Sequence, residues 1–156
     1  MTQRQPDIGF IPTPEAAVEA ILELARVDRA DLLYDLGSGD GRIPIAAATT
    51  LGTRGVGIDL DPQRIKQARE KAWQAGVSDR VEFREHDLFQ CDFSSATVVF
   101  LYLLPHLNLR LRPALFRQLK PGTRIVSLDF DLGDWPPQQA ISLPIPEEST
   151  LYYWVV

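Results

Sequence analysis

Tyr34-Asp35-Leu36-Gly37-Ser38-Gly39-Asp40-Gly41-Arg42 joins a short apolar run to an alanine-rich one. Before it, 32–36 reads as a buried strand stopped by glycine. After it, 43–51 reads as a helix ended by Gly52. Three glycines in the connection let the backbone come close to a ligand, and the helix that follows presents free N–H groups. A strand, a glycine turn and a helix in that order form the first unit of an open α/β sheet, which binds ligands beyond the carboxyl ends of its strands.

The remaining chain continues that alternation. Residues 54–59 make a second strand ending on Asp59, about 20 residues beyond the glycines, a spacing that suits a carboxylate gripping ribose hydroxyls. Asp61-Pro62 opens a helix, with Asp61 as its cap, Ile65, Ala68 and Ala72 on its inner face and Gly76 as its stop. Strands follow at 80–86, 96–102 and 122–129, with a helix at 107–119 in which Pro113 must fall in the first turn or cause a kink. Upstream, 1–13 is an arm. Within it, Pro12-Thr13-Pro14 is stiff, and Thr13 is placed to cap a leading helix over 14–27, whose Val18, Ile21, Leu22 and Ala25 share one face. Two strand-like runs, 139–143 and 150–156, close the chain across a turn holding Pro144 and Pro146. Only about ten residues separate strands five and six, too few for a crossover helix, so the tail is an antiparallel hairpin on a parallel sheet.

The 156 residues read as one domain, 1–156, long enough to fold without disulfide or metal. A lone cysteine, Cys91, rules out an internal disulfide framework and a cysteine zinc site, and no His/Asp/Glu set has metal spacing. The N-terminus lacks a secretory pattern and no run approaches about 18 apolar residues, so no membrane span is expected and a cytoplasmic location fits. The formal charge of −5 argues against a broad nucleic-acid footprint.

Two cofactor classes compete for the glycine loop. A nicotinamide dinucleotide fold carries G-x-G-x-x-G, and here Arg42 holds the third glycine's place. Asp40 inside the loop would repel a pyrophosphate and suit a ligand carrying ammonium and sulfonium charges.

The stretch 34–42 resembles the first motif of class I S-adenosylmethionine-dependent methyltransferases. Val56-Gly57-Ile58-Asp59-Leu60-Asp61-Pro62 is similar to the second and Glu85-His86-Asp87-Leu88 to the third. Phe10-Ile11-Pro12-Thr13-Pro14, the D-L-G-S-G-D-G-R spelling and Asp134-Trp135-Pro136 resemble the small family that includes the lysine methyltransferases of the ATP synthase c-subunit and the adenine nucleotide translocase. The resemblance implies a Rossmann-like, doubly wound, three-layer αβα fold with seven strands ordered 3-2-1-4-5-7-6, strand seven antiparallel. It implies S-adenosyl-L-methionine as cofactor. Asp35, Gly37, Ser38, Gly39, Asp40 and Gly41 would line the methionine moiety and Asp59 would bind ribose. Asp87 would take the adenine amino group, or simply cap a turn, while Leu60 and Leu88 pack the ring.

The acceptor side is less explicit. Strand four ends Phe100-Leu101-Tyr102-Leu103-Leu104-Pro105, without the Asn or Asp of the N-P-P-Y and D-P-P-Y motifs found in enzymes that methylate base amines or glutamine. Tyr102 and Asp129 are the candidate catalytic residues. Tyr102 would orient an amine or contact the cofactor, against a plain place at the rim or in the core, and Asp129, ending strand five, would anchor an amine or take a proton, against a loop-capping role. Asp131, Asp134 and Trp135 follow in the next loop, Trp135 as a rim contact or as packing. His86 and His106 read as structural or solvated. A domain this short leaves no room for an inserted lid, which suits a protein side chain, and the resemblance favours a lysine amine. The alternatives are a small-molecule N- or O-methyltransferase, with an enclosed apolar pocket near Tyr102, Leu104 and Trp135, and an adenosylmethionine-binding module without activity.

Overall fold

A computed structural model describes residues 13–143 and 148–156. In chain order the elements are α1 (Glu15–Leu24), β1 (Leu32–Leu36), α2 (Arg42–Leu51), β2 (Arg54–Asp59), α3 (Pro62–Gln74), β3 (Val81–Glu85), a 3₁₀ turn (Leu88–Gln90), β4 (Val98–Leu101), α4 (Pro105–Gln118), β5 (Arg124–Leu128), β6 (Gln139–Ser142) and β7 (Thr150–Val155). The seven strands form one sheet in the order β3-β2-β1-β4-β5-β7-β6. β1 to β5 run parallel, and β7 is antiparallel to both β5 and β6. Order and orientation are those expected. The order reverses between β1 and β4, so a crevice opens beyond Leu36 and Leu101.

Side chains alternate between two apolar layers. Leu33 of β1 packs with Val18 and Ile21 of α1 and Ile43 and Ala47 of α2. Its neighbours Tyr34 and Leu36 pack with Leu111 and Leu115 of α4 on the other side. Of the two glycines of β2, Gly55 faces α2, and Gly57 faces Phe83 of β3 and Ser38 of the glycine loop. A Cβ on Gly55 would meet Pro44 at 3.1 Å, and one on Gly57 would meet Phe83 at 2.6 Å. Their bareness lets α2, the ring of Phe83 and the loop at Ser38 sit close on the strand that carries Asp59.

Three details differ from expectation. α1 stops at Leu24 rather than at 27. Arg26, at φ 52°, occupies the left-handed position of a Schellman turn, with its N–H on Glu23 O and the N–H of Val27 on Leu22 O. A glycine marks the same turn after α3, at Gly76; at α1 an arginine does it, held by Arg124, which donates to the carbonyls of Ala25 and Arg26 at 2.6 and 3.1 Å. Thr13 does not cap α1, which begins after Pro14 without a side-chain cap. α4 starts at Pro105, whose fixed φ suits the first helical position, so Pro113 lies inside the helix and deprives Leu109 O of its usual donor. The Phe10-Ile11-Pro12 part of the N-terminal motif and the turn at Pro144 and Pro146 lie outside the described residues.

Candidate functional site

The glycine loop folds back over the end of β2. The N–H groups of Gly37 and Ser38 both donate to Ile58 O, at 2.8 and 2.9 Å. Gly37, Gly39 and Gly41 all have positive φ, which is why glycine recurs there. Gly41 leads into α2, and a Cβ on it would lie 2.6 Å from the ring of Phe83. Asp59 ties the loop from the other strand. Its Oδ2 accepts the Gly39 N–H at 2.8 Å and its Oδ1 accepts the Asp61 N–H at 2.9 Å. Burial, opposed by these two bonds, raises its pKa.

Asp35 ends up buried at 2% exposure. Among the described residues nothing donates a hydrogen bond to its carboxylate, and burial, then the charges of Asp59 and Asp40, push its pKa well above the ordinary range. Ser38 Oγ is likewise buried without a partner among the described residues. Buried polar atoms left this way are rare and mark places where a ligand can complete the bonding.

Asp40 has partners of its own within the chain. Its carboxylate takes Arg42 Nη2 and Lys71 Nζ, both at 2.7 Å. Burial alone would raise its pKa, but the hydrogen bonds from Arg42 and Lys71 bring it down to about 2. Its charge is therefore matched from within the chain, whereas Asp35 has no cation beside it among the described residues. Arg42, in the place of the third dinucleotide glycine, also donates to Thr13 O at 2.9 Å, which joins the segment before α1 to the loop.

Leu60, next to Asp59, is 57% exposed, and Leu88 is half-buried. Asp61 caps α3, accepting from Gln63 N, and Asp87 caps the 3₁₀ turn, accepting from Phe89 N at 2.9 Å through Oδ1. His86 and His106 are exposed.

On the acceptor side, Gly37 lies against Leu103, whose Cδ2 sits 3.0 Å from where a Gly37 Cβ would be. That contact sets the β4–α4 connection, and Tyr102 with it, beside the loop. Tyr102 and Asp129 follow the ends of the neighbouring strands β4 and β5; the phenol is partly buried, and its pKa is raised first by burial and then by the charge of Asp129. Asp129 has φ 67°, donates its N–H to Thr150 O at 2.8 Å and accepts the Thr150 N–H on Oδ1 at 3.1 Å. Trp135 is elsewhere. It packs with the α4 layer, its ring 4.5 Å from Phe116 and its carbonyl taking Trp154 Nε1, whereas Tyr102 packs with the α1–α2 layer. Tyr102, Leu104 and Trp135 thus do not enclose one pocket. Asp134 is exposed and paired with Arg112.

Asn108, not singled out from the sequence, is fully buried in α4. Its Nδ2 donates to the carbonyls of Phe130 and Asp131, at 3.3 and 3.1 Å, and to Ser127 Oγ at 3.4 Å. Its only sequence signal is a polar residue on the apolar face of a helix. Among the described residues, no group of three or more His, Cys, Asp or Glu could hold a metal, and no helix is long and apolar enough to cross a membrane. A cleft of about 750 Å³ runs along edge strand β3 between Arg54, Arg80 and Glu85, and none of the residues 35–41 lines it.

Residues 35–139 match the family model of the ANTKMT methyltransferase domain. The chain is 39% identical over 153 residues to a protein-lysine N-methyltransferase of Saccharolobus islandicus, covering 97% of this chain and 95% of that protein. It is 34% identical over 130 residues to the human lysine N-methyltransferase of the ATP synthase c-subunit, covering 83% of this chain but 55% of the human protein. A crystal structure described as an RNA methyltransferase from Salinibacter ruber, in complex with S-adenosyl-L-homocysteine, superposes with a TM-score of 0.91 at 57% identity, covering 94% of each chain. These similarities decide between the two cofactor classes in favour of S-adenosyl-L-methionine. The chemistry present fits that cofactor: Asp35 is a buried carboxylate without a donor among the described residues, Asp59 ends the next strand, and Leu60 is exposed beside it.

Proposed function

We propose that this chain, which belongs to the ANTKMT methyltransferase domain family and is an S-adenosyl-L-methionine-dependent methyltransferase, transfers its methyl group to the side-chain amine of a protein lysine. The observation that carries the reading is the placement of Tyr102 and Asp129 just beyond the ends of the neighbouring strands β4 and β5, with the β4–α4 connection set against the glycine loop through Gly37 and Leu103. The two similar lysine methyltransferases support it.

Asp35, Ser38 and the N–H groups of the glycine loop would hold the methionine end of the cofactor, Asp59 the ribose, and Leu60, Asp87 and Leu88 the adenine. The cofactor supplies an activated methyl on a sulfonium, so the protein's task is alignment more than bond activation. Asp129 draws the lysine amine in by charge and accepts one of its N–H bonds. Tyr102 accepts another through its hydroxyl oxygen, which leaves the nitrogen lone pair for the methyl carbon. An ammonium has no lone pair, so Asp129 also provides the first acceptor for the proton that must leave. The same reading places the protein in the cytoplasm, where the buried thiol of Cys91 stays reduced.

RNA is the second reading, because the Salinibacter ruber relative is described as an RNA methyltransferase. Strand four ends without the Asn or Asp that base-amine methylation uses, and the net charge of −5 opposes a polyanion. Labelled adenosylmethionine, given to the protein with separated protein, RNA and metabolite fractions, tests the choice. Label recovered as ε-N-methyl-lysine supports the proposal; label confined to RNA or to metabolites overturns it.

A further inference from the structure

We propose that Asn108 is a positioning residue for methyl transfer, an amide clamp that fixes the backbone around Asp129 and so the place of its carboxylate beyond the end of β5. The inference rests on the acceptor reading above. Asp129 is the last link between β5 and a loop with no regular structure, and its φ of 67° is a conformation that side-chain-bearing residues adopt only when their surroundings hold them there. Both flanks are held. On the β7 side, Thr150 exchanges two hydrogen bonds with the backbone N–H and Oδ1 of Asp129. On the α4 side, Asn108 Nδ2 donates to the carbonyls of the next two residues, Phe130 and Asp131. Ser127 Oγ donates to Phe130 O at 2.6 Å and itself accepts from Asn108.

Packing does not explain the amide. Asn108 shares α4 with Leu111, Ala114 and Leu115, all buried, and its own Oδ1 has no partner among the described residues. An apolar side chain would avoid that desolvation cost. What it would lose is a donor to carbonyls that turn inward because Asp129 is left-handed. The clamp also joins the two halves of the acceptor site, since α4 begins three residues after Tyr102 and Asn108 lies in its first turn.

The test reads Tyr102 directly. With tyrosine ¹³C-labelled at Cζ, each phenol titrates as a separate signal, and Tyr102→Phe assigns the one of interest. Asp129→Ala removes the neighbouring charge and should lower the Tyr102 titration midpoint. Asn108→Ala should lower it in the same direction, with the affinity for S-adenosylhomocysteine held within about twofold, because a released loop lets Asp129 turn away while the glycine loop is untouched. A purely structural Asn108 would change the melting temperature and leave Tyr102 where it was. A folded Asn108→Ala protein in which Tyr102 titrates as in the native chain, while Asp129→Ala does shift it, overturns the clamp alone. If Asp129→Ala leaves Tyr102 unmoved, the acceptor reading fails and the clamp with it. Should Asn108→Ala not fold, Ser127→Ala decides: a shift in the same direction supports the clamp and no shift overturns it.

Discussion

The carboxylate of Asp59, at the end of β2, accepts the backbone N–H of Gly39 at 2.8 Å. One side chain thus closes the glycine loop onto the neighbouring strand, and its second oxygen fixes the entry to α3 through Asp61. Asp59 supports the shape of the site before any ligand arrives. Asp59→Ala should therefore weaken S-adenosylhomocysteine binding by about 1–3 kcal/mol and lower the melting temperature of the free protein as well. Calorimetry and a thermal melt read the two effects, and a loss of affinity with no change in melting would limit Asp59 to ligand contact.

Gly57 offers a purely steric test of the same region. A methyl group there would press on Phe83 at 2.6 Å and on Ser38 Cβ at 2.7 Å. Gly57→Ala should cost about 1–3 kcal/mol of stability and displace the loop through Ser38, with cofactor affinity falling at the same time. Unchanged melting and binding would mean that β2, β3 and the loop have room to spare at this point.

Asp35 links binding to protons. Its raised pKa means that the folded, ligand-free protein keeps a proton there above the pH at which the unfolded chain loses it. Stability from this group is present below the unfolded value and declines as pH rises from that value toward the folded one. A cation in the loop favours the carboxylate, so cofactor binding should release protons in this window, measurable as calorimetric heats that vary with buffer ionisation enthalpy. Asp35→Asn should abolish the release, weaken binding and raise the melting temperature of the free protein. A buffer-independent heat in the native protein would contradict this role.

Asp40 titrates in the opposite sense. Its folded pKa of about 2 lies below the ordinary value of 3.8, so its contribution is full above the unfolded pKa and is lost as pH falls through the folded one. At about 1.4 kcal/mol per pH unit this comes to at most about 2.5 kcal/mol near neutral pH. Lys71→Met should remove part of it and move the acid-unfolding midpoint upward, with little effect on stability below pH ~2. Equal losses at pH ~2 and pH ~7 would place the effect of Lys71 in packing instead.

The fold is largely legible because its signals are local. Glycines close β1, α2 and α3 where expected, and the short gap before β6 excludes a crossover helix. Expectation and structure part where a tertiary contact replaces a local signal. Arg26 takes a glycine's conformation because Arg124, about a hundred residues away, holds the carbonyls around it. Asp40 is matched by Lys71, a counter-ion 31 residues further along the chain that the loop's own sequence does not announce. That Tyr102 and Asp129 share one end of the sheet is open to guesswork from their places after adjacent strands. Asn108 is not, since its partners are backbone carbonyls and carbonyls leave no trace in a sequence.

The central claim is that an amine is held between Tyr102 and Asp129, and Asp129→Asn addresses it most directly. Asparagine tolerates the left-handed backbone and keeps an oxygen for the Thr150 N–H, so only the charge is removed. Single-turnover methylation of a lysine-bearing protein substrate, measured beside the S-adenosylhomocysteine Kd, should show the rate falling about 100-fold or more while the Kd is unchanged. A rate within about twofold of the native protein would contradict the claim.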